Sequence, residues 1–253
     1  YRLPVFPRVA LRALELAQAE DTSAAEIERL VSADQVLAGR LVQAANSSLH
    51  SPARPIASLR QAIAYIGLEA ARRVLMAAVF YPLFASAGLR ALWRHSLEVS
   101  QLSEYLARAG GVATEEAFLA GLVHDVGRLA LETAQGEDVI AYKRMLEKGC
   151  EPVFAEMALC GFDHGLAGAA ILRFWSFPEH LAKAVEDHHR PEHSGSELAA
   201  ILYLAEFWSS SEEDLPSGVR LNAALERTGL SWEALHSARV RPGSLAELLG
   251  SAA

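Results

Sequence analysis

Cysteine is scarce in this 253-residue chain, which carries only Cys150 and Cys160. Their spacing fits neither a zinc ribbon nor a redox CxxC pair, and two isolated thiols point to a reducing compartment, the cytoplasm. No apolar run is long enough to span a bilayer. The chain begins at Tyr1 rather than Met and opens with no secretory signal, so no membrane partner is expected. Positive charge is also in deficit: 23 Lys and Arg against 31 Asp and Glu leave a formal net charge of −8. A sequence-independent nucleic-acid binder needs a basic surface, so nucleic acid is not expected as a partner. A locally basic pocket can still hold a small phosphate ligand. Alternating strand patterns, repeats of fixed period and low-complexity tracts are lacking as well.

What is present is apolar and helical. Hydrophobic residues make up 51% of the chain, enough for a sizeable core. "LPVFPRVALRALELAQ" opens with prolines and continues with helical spacing. In "TSAAEIERLVSADQVLAGRLVQAANSS", Thr22 or Ser23 caps a first helix with Glu26 placed for a capping box, and Ala33-Asp34 opens a second. "SPARPIAS" is a proline-broken loop. Ser58 then caps "LRQAIAYIGLEAARRVLMAAVFYPLF", where Gly67 divides the run in two. "ASAGL" around Gly88 is a joint. A long amphipathic helix from Leu89 stops at Gly110-Gly111. Another starts at Thr114 and runs through "FLAGLVHDVGRLAL". After a looser middle come "FDHGLAGAAILRFW", "PEHLAKAVEDHH" and "SELAAILYLAEFWSS", then the polar loop "SSSEEDLPSG" and a short helical tail.

The later helices turn ionisable groups toward apolar faces. His95 shares a stripe with Val99, Leu102 and Leu106, and Asp125 shares one with Phe118, Leu122 and Leu129. His124 points about 100° away on the same helix, flanked by Ala117, Ala120 and Gly121. His164 lies with Gly168, Ile171 and Trp175; His188 continues Leu181 and Val185, with His189 beside it; Glu206 follows Leu202 and Ala199. A single core-facing histidine is ordinarily just hydrogen-bonded to a carbonyl. Five histidines and two carboxylates facing inward from separate helices would cost several kcal/mol without a shared partner, at about the usual burial penalties. A metal centre is such a partner, and imidazole nitrogen with carboxylate oxygen suits Fe, Mn, Zn or Mg. A fully satisfied hydrogen-bond network in the core is the competing reading. His50, His180, His193 and His236 sit in loops or near helix ends and read as ordinary polar positions.

Five motifs in order give the chain a family likeness. "LPVFP", "LAGRLVQAANS", "SLRQAIAYIG", "WRHS" and "FLAGLVHDVGR" together cover roughly residues 3 to 208. The chain resembles the HDOD branch of the HD phosphohydrolase superfamily, the HD-related output domains of bacterial signalling proteins. The resemblance implies an all-α fold, with an N-terminal helical bundle (residues 1–88) packed on a helical HD-type subdomain (residues 89–253). Many HDOD members have lost metal ligands, whereas this chain keeps His95, His124 and Asp125 and adds His164, His188 and His189. That set resembles the two-metal pattern of the HD-GYP phosphodiesterases. Three departures stand beside it: the HD-GYP signature is replaced by "FDHGLAG", the lysine after the HD pair is Arg128, and the final Asp is Glu206 in "LAEFW".

The likeness therefore implies a signal-transduction output module with one or two divalent ions, Fe, Mn or Zn, held by His95, His124, Asp125, His164, His188, His189 and Glu206. The alternative is a metal-dependent phosphohydrolase or phosphodiesterase acting on a nucleotide or cyclic dinucleotide. In that case Asp125 would bridge the metals and Arg128 would meet the phosphate. Arg94 and Arg190 also adjoin motif residues and suit bidentate phosphate binding. The expected partners are a small phosphate-containing ligand or a signalling protein.

Overall fold

The computed structural model describes Glu15 and residues 22–47, 50, 52–133, 137–210 and 218–238. The opening "LPVFPRVALRALELAQ" (Glu15 apart), most of "SSSEEDLPSG" and the chain beyond residue 238 lie outside the described residues. Among the described residues the secondary structure is helical, with no strand. The helices group into two compact units, one ending at Ala85 and the other beginning at Ser86.

The first unit contains α1 (Ala24–Val31), α2 (Gln35–Ala45), α3 (Leu59–Ile66) and α4 (Leu68–Phe80). Its boundaries follow local chemistry. Ser23 and Glu26 form the expected capping box, each accepting the other's backbone N–H. Asp34 Oδ1 accepts from the Val36 and Leu37 amides at 2.9 and 3.1 Å and starts α2. Ser58 Oγ accepts from the Gln61 amide and starts α3. Gly67, at φ 84°, separates α3 from α4 in a region that other residues avoid. Ile27, Val31, Leu41, Ile63 and Leu75 are buried on the inward faces.

The second unit contains α5 (Arg90–Gly110), α6 (Thr114–Val123), α7 (Arg128–Thr133), α8 (Glu137–Glu147), α9 (Pro152–Cys160), α10 (His164–Phe174), α11 (Glu179–Asp187), α12 (Glu197–Ser210), α13 (Val219–Thr228) and α14 (Trp232–Ala238). Helix α5 ends at Gly111 as its glycine pair predicts. It packs on α6 and α12, and α10 packs on α11, which also meets α6 and α12. Phe118, Leu119, Leu122, Ile171, Leu202 and Val185 fill the space between them.

Two expectations are corrected here. The segment from Thr114 is not one helix. It stops at Val123, and residues 124–127 form tight turns, with Arg128 N–H donating to the Asp125 carbonyl at 2.9 Å and Ala130 N–H to that of Gly127 at 3.1 Å. The cause is distant in sequence. Gly127 is pressed against the start of α10 so closely that a Cβ there would lie 2.0 Å from the His164 carbonyl oxygen. The looser middle is also more ordered than its weak periodicity predicts, for it holds α8 and α9.

Candidate metal centre

Helix ends, rather than helix faces, present most of the site. His124 is the residue after α6 and His188 the residue after α11. Each has a carbonyl from the preceding turn within reach. His124 Nδ1–H donates to Gly121 O at 2.7 Å, and His188 Nδ1–H donates to Val185 O at 2.5 Å. A carbonyl can only accept, so both rings carry their proton on Nδ1 and turn a bare Nε2 inward. Both rings are fully buried, and neither Nε2 has a hydrogen-bond partner.

Asp125 sits between them, fully buried, its carboxylate held in ion pairs. Its Oδ1 lies 3.1 Å from His164 Nε2 and 3.1 Å from Arg128 Nε; its Oδ2 lies 3.5 Å from His124 Nε2 and 3.8 Å from His95 Nε2. His164 Nε2 faces His189 Nε2 at 2.7 Å. Two basic nitrogens at that distance require a proton or a cation between or beside them. Glu206 reaches the cluster from α12, with Oε2 3.4 Å from His189 Nδ1 and 3.7 Å from His188 Nε2.

Burial and charge push these groups apart. Burial lowers the His124 pKa to about 4 and depresses His95, His188 and His189 as well. Burial also opposes charge on His164, but the Asp125 carboxylate and hydrogen bonds to Asp125 and Glu156 outweigh it and raise its pKa to about 9. Burial would raise Asp125; Arg128 and His164 hold it well below the usual carboxylate range. Glu206 is raised to about 7 by burial and by the neighbouring Asp125 charge.

The donors divide into two groups, His164 with His188 and His189, and His95 with His124 and Glu206; within each, one ligand atom per residue lies within 4.8 Å of the others. Buried imidazole nitrogens that lack partners, with carboxylates beside them, are what a divalent ion satisfies. The donor set fits such an ion on these grounds. All seven metal ligands named from the sequence thus meet in one place. His124 and Asp125, expected about 100° apart on a helix, both reach it because the turn after Val123 re-aims them.

The arginines separate. Arg128 lies against Asp125 and lines an open cavity of about 430 Å³ beside the cluster, with His95, His189, Glu206, Tyr203, Phe207 and Arg220. Arg94 is exposed and does not line it. Arg190 turns to Asp163 at 2.5 Å instead. Three contributors escaped the sequence reading. Arg220 and Tyr203 reach the cavity from α13 and α12. Glu156, buried in α9, accepts from both the backbone N–H and the Nδ1–H of His164, at 2.8 and 2.7 Å. A lone carboxylate in the apolar run "PVFAEMALC" was the available signal.

Known proteins agree with this architecture. The chain is similar to an HDOD domain protein of unknown function from Geobacter sulfurreducens, with a TM-score of 0.82 at 24% identity over 99% of this chain and 92% of the other. It is similar to a candidate phosphohydrolase from Shewanella amazonensis SB2B, with a TM-score of 0.71 at 22% identity over 98% and 89% of the two chains. In sequence it is 30% identical to Ribonuclease Y of Mycoplasma mycoides over 51% of this chain and 24% of that protein. It is 22% identical to an uncharacterized protein of Treponema pallidum over 81% of this chain and 42% of that one. The chain therefore spans less than half the length of these sequence relatives. Residues 3–191 match the HDOD domain model, and the chain belongs to the HDOD family.

Proposed function

We propose that this chain is the metal-dependent phosphohydrolase module of a signalling protein, acting on a phosphate ester of nucleotide or cyclic-dinucleotide size. The observation that carries the reading is the set of buried, partnerless ligand atoms. His124 Nε2 and His188 Nε2, each buried and without a hydrogen-bond partner, belong one to each of two groups of three donors, with the buried Asp125 carboxylate beside both groups. One or two divalent ions, Fe, Mn or Zn, suit that donor set. When bound, a divalent ion supplies a Lewis acid that draws charge from a phosphoryl oxygen and makes water a nucleophile at neutral pH.

The residues around the centre support a phosphate ligand. Arg128 reaches Asp125 through Nε, which leaves the rest of its guanidinium fork for phosphoryl oxygens on the cavity side. Arg220, paired through Nε with Glu192 at 3.3 Å, lines the cavity with its guanidinium, and Tyr203 and Phe207 add aromatic surface for the remainder of the ligand. The partial likeness to Ribonuclease Y favours a phosphodiester, whereas a net charge of −8 disfavours a long nucleic acid. Among the described residues no helix is long and apolar enough to cross a membrane. The free thiols Cys150 and Cys160 support a reducing, cytoplasmic setting as part of this reading.

One contact favours a second reading, an output module that binds its ligand without cleaving it. Arg128 Nε lies 3.1 Å from Asp125 Oδ1 and neutralises the carboxylate most central to the site. Two measurements decide between them. Elemental mass spectrometry of anaerobically purified protein gives the metal content per chain. A panel of a generic phosphodiester and cyclic dinucleotides with Mn²⁺ gives the activity. Hydrolysis that disappears in Asp125→Ala supports the first reading. Bound metal with an inactive panel supports the second, and absence of metal after supplementation sinks the metal reading and leaves a metal-free output module.

A further inference from the structure

We infer that Glu156 is the positioning residue that aims His164 at the metal centre. The inference rests on the metal reading above and concerns a residue outside the ligand set. His124 and His188 follow the ends of their helices, so a carbonyl three residues back is there to take each Nδ1–H. His164 instead opens α10. No turn of helix precedes it, and its ring needs a partner from elsewhere.

Glu156 is that partner. It is fully buried in α9, and its Oε2 accepts two N–H groups of the same residue, the backbone N–H of His164 at 2.8 Å and Nδ1–H at 2.7 Å. Its Oε1 accepts from the Tyr142 hydroxyl at 3.2 Å. One carboxylate oxygen thus grips both the backbone and the ring of His164, which leaves the ring little freedom to turn. With Nδ1–H committed, Nε2 is the atom presented toward Asp125 Oδ1 and His189 Nε2. The anionic acceptor also makes the far nitrogen a stronger donor than a neutral carbonyl would. His164 is the one imidazole of the cluster hydrogen-bonded in this way to a carboxylate outside the ligand set.

The test is a titration of EDTA-stripped full-length protein with Co²⁺, read by affinity and by the visible d–d spectrum. Glu156→Ala is expected to weaken Co²⁺ binding about 10- to 100-fold, the usual effect of losing such a partner, and to alter the spectrum. Glu156→Gln keeps an acceptor oxygen without the charge, so it should keep the spectrum and lose about 10-fold at most. In a His164→Ala background neither Glu156 variant should weaken binding further, whereas a merely structural loss would persist there. If Glu156→Ala does not fold, Glu156→Gln in the same cycle carries the test. Glu156 variants that bind Co²⁺ as wild type does, or losses fully additive with His164→Ala, overturn the assignment alone. Wild-type protein that takes up no Co²⁺ overturns the metal reading and this assignment with it.

Discussion

Among the described residues from Thr22 to Ala85, the buried polar or charged ones are Thr22 and Arg72, and Arg72 donates to the Thr22 carbonyl at 3.2 Å. From Ser86 to Ala238, the buried set includes Glu104, His124, Asp125, Glu156, Asp163, His164 and His188. Both units place polar side chains at helix ends, but to opposite effect. Ser23, Asp34 and Ser58 sit near the surface and satisfy the first amides of their helices. His124 and His188 are sealed inside, satisfied on one ring nitrogen and bare on the other. Among the described residues, the first unit leaves Arg40 Nη1 and Ser47 Oγ without a hydrogen-bond partner, but the bare buried imidazole nitrogens all belong to the second unit. The difference teaches where a ligand is needed. A fold stabilised by itself looks like the first unit, and a fold completed by something it binds looks like the second.

The contrast is broken most completely by removing the HD pair. His124→Ala/Asp125→Ala takes a ligand from one group and the carboxylate between the groups. Wild-type protein should gain about 3 kcal/mol of stability from metal at 100 times its Kd, read as a rise in Tm. The double variant should gain none, with no metal found by elemental analysis.

Gly127→Ala attacks the same region through packing. A Cβ 2.0 Å from the His164 carbonyl oxygen and 2.6 Å from the Gly168 nitrogen cannot be accommodated without moving backbone. The expected cost is about 3 kcal/mol in denaturant unfolding. Metal affinity should fall with it, because the turn carrying Asp125 must shift.

Acidity offers a milder perturbation of metal-free protein. The His124 pKa is lowered to about 4 by burial, and His188 and His189 are lowered as well, from about 6.5 in the unfolded chain. The unfolded chain then binds more protons than the folded one as pH falls from 6.5 toward 4, so stability drops through that window. His164, raised to about 9, acts oppositely. Its contribution is complete below about 6.5 and is lost as pH rises toward 9; that of Glu206, raised to about 7, is lost above about 4.5 and offsets only part of the effect of the several lowered histidines. Melts in EDTA should therefore show a maximal Tm near pH 6.5 and a steeper fall on the acid side. A flat profile from pH 5 to 8 would contradict the buried, neutral state of the cluster.

The smallest effect sharpens the comparison from the other unit. Asp34→Ala removes the cap of α2 and should cost about 1 kcal/mol, with metal content and Co²⁺ affinity unchanged. A loss of metal there would mean that the two units are not energetically separate.

Much of this was legible in the sequence because the deciding physics is local. A capping serine, a capping aspartate, a glycine at positive φ and a glycine stop act within a few residues, and Ser23, Asp34, Ser58, Gly67 and Gly111 read directly as boundaries. The residues that meet in the cluster were legible too, because ionisable side chains on apolar stripes have a burial cost that only a few arrangements relieve. The end of α6 was hidden. Helical spacing continues from Phe118 to Leu131, and what interrupts it is the approach of Gly127 to α10. Glu156 was hidden for a similar reason, since nothing in its own segment announces His164 as its partner.

By itself, then, the order of residues determined the helices of the first unit, the all-helical class and the inventory of imidazoles and carboxylates, because propensity, capping and burial cost act on neighbours or on composition. Tertiary structure alone decided that His124 and Asp125 leave their helix to face one centre, that Glu156 rather than a carbonyl holds His164, and that Arg128 and Arg220 line the cavity while Arg190 turns to Asp163. Those outcomes depend on backbones that meet from distant parts of the chain, and close packing admits only one arrangement of them.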